Sequence, residues 1–178
     1  MAGRSLLREI LGGYLGALPD EFRFAVGEHG KPYLSDNVRL HFNLSHSGAL
    51  FILAVAADRE VGIDIEQFRD DTPFPGMARL AFSPREQKEL FALPEHQQRS
   101  AFYRCWTRKE AYLKACGMGF ALRSNSFDIN LLPETPTVLI SPDDLSHWTL
   151  NDVVVPEGYC AALAVTGLAP LIRYIQSV

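Results

Sequence analysis

The stretch "WTRKEAYLKACG" (106–117) has the spacing of an amphipathic helix closed by a glycine. At 100° per residue, Phe102, Cys105, Trp106, Leu113 and Cys116 fall along one apolar stripe, with Lys109 inside it. Tyr103, Glu110 and Lys114 line the adjoining flank. Glu110 four residues before Lys114 is the favoured order of an ordinary surface ion pair, so that pair alone says little. Lys109 says more. An ammonium in an apolar stripe must snorkel to water or meet a buried anion.

Outward from this helix the pattern is mixed. "SPREQKELFAL" (83–93) carries Ser83 as N-cap, Pro84 at the first helical position and Glu86 completing a capping box. Pro94 and Glu95 open the longer helix that runs through Cys116. Upstream, helical apolar spacing covers 5–17, "FRFAV" (22–26) alternates weakly, and "GEHGKPYL" (27–34) contains a turn. "LHFNLSH" (40–46) alternates as a half-buried strand, and "ALFILAVAA" (49–57) reads as a strand covered on both faces. "REVGIDIEQ" (59–67) alternates cleanly, and "FRDDTPFPG" (68–76) reads as a loop. Downstream, "SFDINLL" (126–132), "PTVLI" (136–140), "SHWTLNDVVV" (146–155) and "GYCAALAVTG" (158–167) all read as strands. Strands, then helices, then strands again, without regular alternation, predict an α+β fold.

Four stretches carry chemistry. In "VGIDIEQ", Asp64 and Glu66 project from one strand face roughly 7 Å apart. Gly62, next on that face, leaves room for a ligand or a backbone. Two carboxylates beside open space suit Mg²⁺, although taken alone the stretch reads first as a solvated strand face. "FNLSHSG" places Ser45 and His46 at a strand end, where they could donate to phosphate; a nucleophilic pair would require the chain to bend. "GKP" holds Lys31 between Gly30 and Pro32, as a phosphate-binding turn or any surface turn would. Glu110, Lys109 and Lys114 complete a metal-and-phosphate pocket if their helix packs over the "GIDIE" strand.

Composition limits the partners. The chain has 178 residues, 47% hydrophobic and 21% charged, which is ordinary globular usage. A net charge of −4 argues against a nucleic-acid binder with a broad basic surface. No apolar run reaches the length of a membrane span. Three cysteines without a CxxC pair argue against a disulfide framework or zinc site, which predicts a cytoplasmic protein.

Taken in order, "GKP", "FNLSHSG", "VGIDIE" and "FYRCWTRKEAYLKACGMGF" resemble the Sfp-type 4′-phosphopantetheinyl transferases over about residues 5–120. The resemblance implies two similar α/β lobes in one monomeric pseudodimer, 1–58 and 59–178, with the first lobe shortened and the active site in the cleft between them. It implies transfer of phosphopantetheine from coenzyme A to a serine of an apo acyl or peptidyl carrier protein, with release of adenosine 3′,5′-bisphosphate. Asp64, Glu66 and Glu110 fall on the Mg²⁺ positions, with Mn²⁺ as the alternative ion. Glu110 also matches the base for the carrier serine. Lys114 matches the pyrophosphate contact and Lys109 the other basic residue of that signature. Lys31 and Pro32 match the loop at the nucleotide end of coenzyme A, and Ser45 and His46 the contacts to its phosphates. Two rivals stand beside this reading: a non-catalytic carrier-protein or coenzyme-A binding module, and a Mg²⁺ phosphohydrolase using water.

Overall fold

The computed structural model describes residues 2–36, 39–118, 122–132, 137–138, 148–168 and 170–175. In chain order these form α1 (Ala2–Leu15), β1 (Phe24–Val26), β2 (Pro32–Leu34), β3 (Leu40–Ser47), β4 (Leu50–Ala57) and β5 (Val61–Gln67). There follow α2 (Phe74–Ala81), α3 (Pro84–Ala92), α4 (Glu95–Cys116), β6 (Thr137–Val138), β7 (Trp148–Asp152) and β8 (Tyr159–Thr166). Two antiparallel pairs, β1–β2 and β3–β4, precede a four-stranded antiparallel sheet in the order β5-β8-β7-β6. The α+β expectation holds.

α4 packs against β5 and β8 through small residues. Ala111 and Ala115 of the helix meet Ala162 and Ala164 of β8 in one buried cluster. Gly62 of β5 lies so close to the helix that a Cβ there would stand 2.1 Å from Ala111 O and 2.3 Å from Ala115 N. Of the two roles open to Gly62, the close approach of a backbone is therefore the one realised. α4 is buried around most of its girth, with Phe102, Thr107, Arg108 and Tyr112 all enclosed, so it is a central helix and not a surface amphipath. Its C-terminus is as expected, with Gly117 in the left-handed region at φ 65°.

β5 has a second neighbour on its free edge. Hydrogen bonds to β8 use alternate residues, leaving the amides of Ile63, Ile65 and Gln67 on the other side. These amides donate to side chains of β3: Ile63 N to Asn43 Oδ1 at 2.8 Å, Ile65 N to Ser45 Oγ at 3.4 Å and Gln67 N to Ser47 Oγ at 3.0 Å. The opposite face of β3 presents Phe42 to Leu7, Leu11, Phe22 and Leu34, which form the N-terminal core. β3 thus joins that core to the larger sheet with side chains substituting for a strand ladder.

Three elements differ from the sequence expectation. Residues 74–76, read as the end of a loop, instead open α2 (Phe74–Ala81), which starts behind Pro73 without a side-chain cap. Residues 126–132 form no regular strand although Phe127, Ile129 and Leu131 are buried alternately. β4 is not covered on both faces, since Phe51 is 38% exposed. Strand positions expected at 136, 139–140 and 146–147 lie outside the described residues.

Two glycines give opposite predictions. Gly62→Ala forces α4 off the sheet and lowers unfolding free energy by about 3 kcal/mol or more. Gly13→Ala in α1 meets nothing within 4 Å and raises it by about 0.5–1 kcal/mol. Urea denaturation of both variants measures the two signs.

Candidate active site

A cleft of about 710 Å³ opens beside α4. Glu110, Leu113, Lys114 and Gly117 contribute from the helix and the residue that closes it. Lys31 and Pro32 come from the turn into β2, Asn43 and Leu44 from β3, and Leu80 with residues 122–125 from beyond the helix. Because α4 sits tight on β5, Lys114 reaches the strand: its Nζ is 2.6 Å from Asp64 Oδ1 and 3.0 Å from Ser45 Oγ. Lys114 does not form the i,i+4 surface pair with Glu110; its partner is the buried Asp64.

Asp64 is only 4% exposed. Burial pushes its carboxyl above the usual range, against the pull of Lys114 and the Ser45 hydroxyl. Oδ1 accepts from both Lys114 and Ser45, whereas Oδ2 is buried with no hydrogen-bond partner. Ser47 donates to Glu66 Oε2 at 2.8 Å. Burial also raises the carboxyl of Glu110, followed by the charge of Asp64, with Lys114 opposing and Glu66 adding a smaller push. Among the described residues the three carboxylates do not form a ready-made metal cluster, and Asp64 and Glu66 already have Lys114 and the serines as partners. The donor chemistry nonetheless fits a hard divalent cation: all oxygens, from carboxylates, one of them, Asp64 Oδ2, buried without a hydrogen-bond partner.

The other expected site residues separate. Lys31 donates to Glu60 Oε2 and to Ala115 O, both at 2.8 Å, so its ammonium caps the end of α4 at the cleft. Glu60, which no sequence motif marks, also receives His41 Nδ1 at 3.1 Å. Ser45 and His46 do not act as a pair. β3 runs straight through them, so Ser45 is buried against Asp64 and His46 is exposed on the opposite face. The Ser45 hydroxyl, expected at a phosphate, is spent on Asp64, Lys114 and Ile65 N.

Lys109 requires the largest correction. It is 2% exposed and does not border the cleft. Its Nζ pairs with Glu86 Oε1 at 2.8 Å, donates to Phe127 O at 2.7 Å and lies 4.2 Å from the centre of the Phe127 ring. The anion beneath the helix is the capping-box glutamate. Glu86 is fully buried, and burial raises its carboxyl while Lys109 opposes. It also accepts from Ser83 N and Ile129 N. Arg108 fastens the same segment through the carbonyls of Asn130 and Leu132 and a two-pronged contact with Asp152. The spacing of Ser83 and Glu86 disclosed the cap; nothing local disclosed that its carboxylate would reach Lys109.

Residues 60–164 match the family model of the 4′-phosphopantetheinyl transferase superfamily. The chain belongs to this superfamily. It is 42% identical over 169 residues to the 4′-phosphopantetheinyl transferase HetI of Nostoc sp. (strain PCC 7120 / SAG 25.82 / UTEX 2576), covering 93% of this chain and 70% of that protein. It is 31% identical over 166 residues to the 4′-phosphopantetheinyl transferase Sfp of Bacillus subtilis (strain 168), covering 91% of this chain and 73% of that one. A holo-(acyl-carrier-protein) synthase from Bacillus anthracis str. Ames, solved in complex with CoA (3′,5′-ADP), shares the fold with a TM-score of 0.52 and 18% identity. That match covers 60% of this chain and 94% of the other. Phosphopantetheinyl transferases are enzymes, and this chain is one of them.

Because Lys109 is enclosed, Lys109→Met acts on folding and not on ligand binding. Breaking the buried pair lowers unfolding free energy by about 3–5 kcal/mol. Urea denaturation measures the loss, and an unchanged unfolding free energy would contradict this placement.

Proposed function

We propose that the chain moves the 4′-phosphopantetheine arm of coenzyme A onto a serine of an apo acyl or peptidyl carrier protein, releasing adenosine 3′,5′-bisphosphate. One observation carries the reading: Lys114 and Glu110, one turn apart on α4, stand at a cleft beside the buried, half-satisfied carboxylate of Asp64. Family membership supplies the reaction class. In this reading the site lies between two lobes, 1–58 and 59–178, and one chain suffices as a pseudodimer.

Asp64, Glu66 and Glu110 would hold Mg²⁺, or Mn²⁺ in its place. When bound, that ion supplies neutralising charge to the pyrophosphate. The remaining chemistry belongs to the side chains. The carrier serine oxygen bonds to the β-phosphorus while the bond from that phosphorus to the bridging oxygen breaks, and the bridging electron pair leaves with the adenosine bisphosphate. Glu110 accepts the serine proton, a role that its raised carboxyl suits better than an ordinary glutamate's would. Lys114 steadies the charge growing on the departing phosphate. Lys31, anchored by Glu60 and Ala115 O, retains one N–H for the nucleotide end of the coenzyme.

Among the described residues no helix is long and apolar enough to cross a membrane.

Incubation with coenzyme A, Mg²⁺ and several apo carrier proteins tests the reading by mass spectrometry. The carrier gains the mass of a phosphopantetheine group, and Glu110→Gln reduces the rate at least about 100-fold. Binding of coenzyme A without transfer would indicate a module instead, and free phosphopantetheine without a carrier would indicate a hydrolase. The carboxylate form of Glu110 is the active one and its protonation is favoured by burial. In the metal-free protein Glu110 therefore takes up its proton at a pH above the ~4.3 of an unperturbed glutamate. Its side-chain carboxyl shift followed by NMR against pH measures that titration, and titration at the ordinary value would contradict the raised carboxyl.

A further inference from the structure

The two carboxylates of β5 are held by the same device, repeated two residues apart. Ser45 Oγ accepts from Ile65 N and donates to Asp64 Oδ1 at 2.9 Å. Ser47 Oγ accepts from Gln67 N and donates to Glu66 Oε2 at 2.8 Å. In each case the hydroxyl of β3 takes the amide that follows the acid and gives its proton to the acid itself. Each serine is thereby fixed as a donor, because its acceptor side is occupied by a backbone N–H that has nowhere else to go. Each also claims a single carboxylate oxygen. The other oxygen of Asp64 is buried without a partner, and that of Glu66 has no hydrogen-bond or ion-pair partner among the described residues.

We propose that Ser47 is a positioning residue for Glu66: it turns the carboxylate so that one oxygen stays free for a divalent cation, as Ser45 does for Asp64. The inference rests on the cation-dependent reading above and extends it to a residue that touches neither the coenzyme nor the carrier serine. A free carboxylate can rotate to chelate with both oxygens or swing to water. Pinned at one oxygen, Glu66 offers a single ligand atom in a fixed direction, which suits the strict geometry of Mg²⁺ better than the accommodating shell of Ca²⁺. Partners behind a ligating group commonly shift metal affinity by tenfold or more. Asn43, at the third rung of the same ladder, takes Ile63 N without facing an acid, so the backbone half of the device can exist without its carboxylate half.

The test is Mn²⁺ binding to the full chain, read by electron paramagnetic resonance without coenzyme or carrier. Ser47→Ala is expected to weaken Mn²⁺ binding about tenfold, and Ser47→Thr, which keeps the hydroxyl, to restore it. In a Glu66→Ala background the same Ser47→Ala change should have no further effect. Ser47→Cys, nearly isosteric but a weak donor, takes the place of the alanine variant if thermal melting shows that variant unfolded. Unchanged Mn²⁺ affinity in Ser47→Ala, or an equal loss with Glu66 already removed, overturns the proposal and leaves the cation site intact. Absence of Mn²⁺ binding in the unaltered protein overturns the cation site itself.

Discussion

The candidate site depends on how closely a helix can lie on a strand. Gly62 removes the one side chain that would hold α4 away from β5, and alanines at 111, 115, 162 and 164 keep the rest of the contact thin. At that separation Lys114 can reach back to a carboxylate buried on β5. A wider helix–sheet spacing would leave Asp64 without a counter-charge, and a buried unpaired carboxylate is costly enough to neutralise itself. The glycine before the acid is thus an electrostatic requirement as much as a packing one.

A second constraint runs through the molecule. Backbone groups that would ordinarily pair with a neighbouring strand are satisfied by side chains in two places. On the free edge of β5, Asn43, Ser45 and Ser47 receive three amides. Along 127–132, Glu86 takes the Ile129 amide, while Lys109, Arg108 and Arg104 take the carbonyls of Phe127, Asn130, Leu131 and Leu132. Backbone groups in such places must be paired. Side chains do it here while holding buried charges in place, so the polar network fixes both the fold and the direction in which the acids point.

How much of this was legible in the sequence follows from the range of each signal. The α3 capping box and the glycine closing α4 are local, and both stand where spacing put them. α2 was missed because Pro73, Pro75 and Gly76 read as loop, and its first turn has no capping side chain to announce it. The segment 126–132 alternates like a strand because Phe127, Ile129 and Leu131 are buried, but its hydrogen bonds go to arginine, lysine and glutamate side chains that alternation cannot reveal. Lys109 was correctly singled out as needing an anion; the sequence contained both an internal carboxylate and a possible ligand, and only the fold chooses between them. In "FNLSHSG" the signal lay at every second residue, Asn43, Ser45 and Ser47, and not in the adjacent serine and histidine.

The proposed function turns on Asp64, Glu66 and Glu110 gathering around one divalent ion beside the cleft. A crystal of the protein grown with Mn²⁺ and coenzyme A, with anomalous data collected at the manganese edge, addresses it directly. The account predicts one strong anomalous peak bound by Asp64, Glu66 and Glu110, with Lys114 turned toward the pyrophosphate. A coenzyme bound in the cleft, with Lys114 still on Asp64 and manganese nowhere near β5, would contradict it.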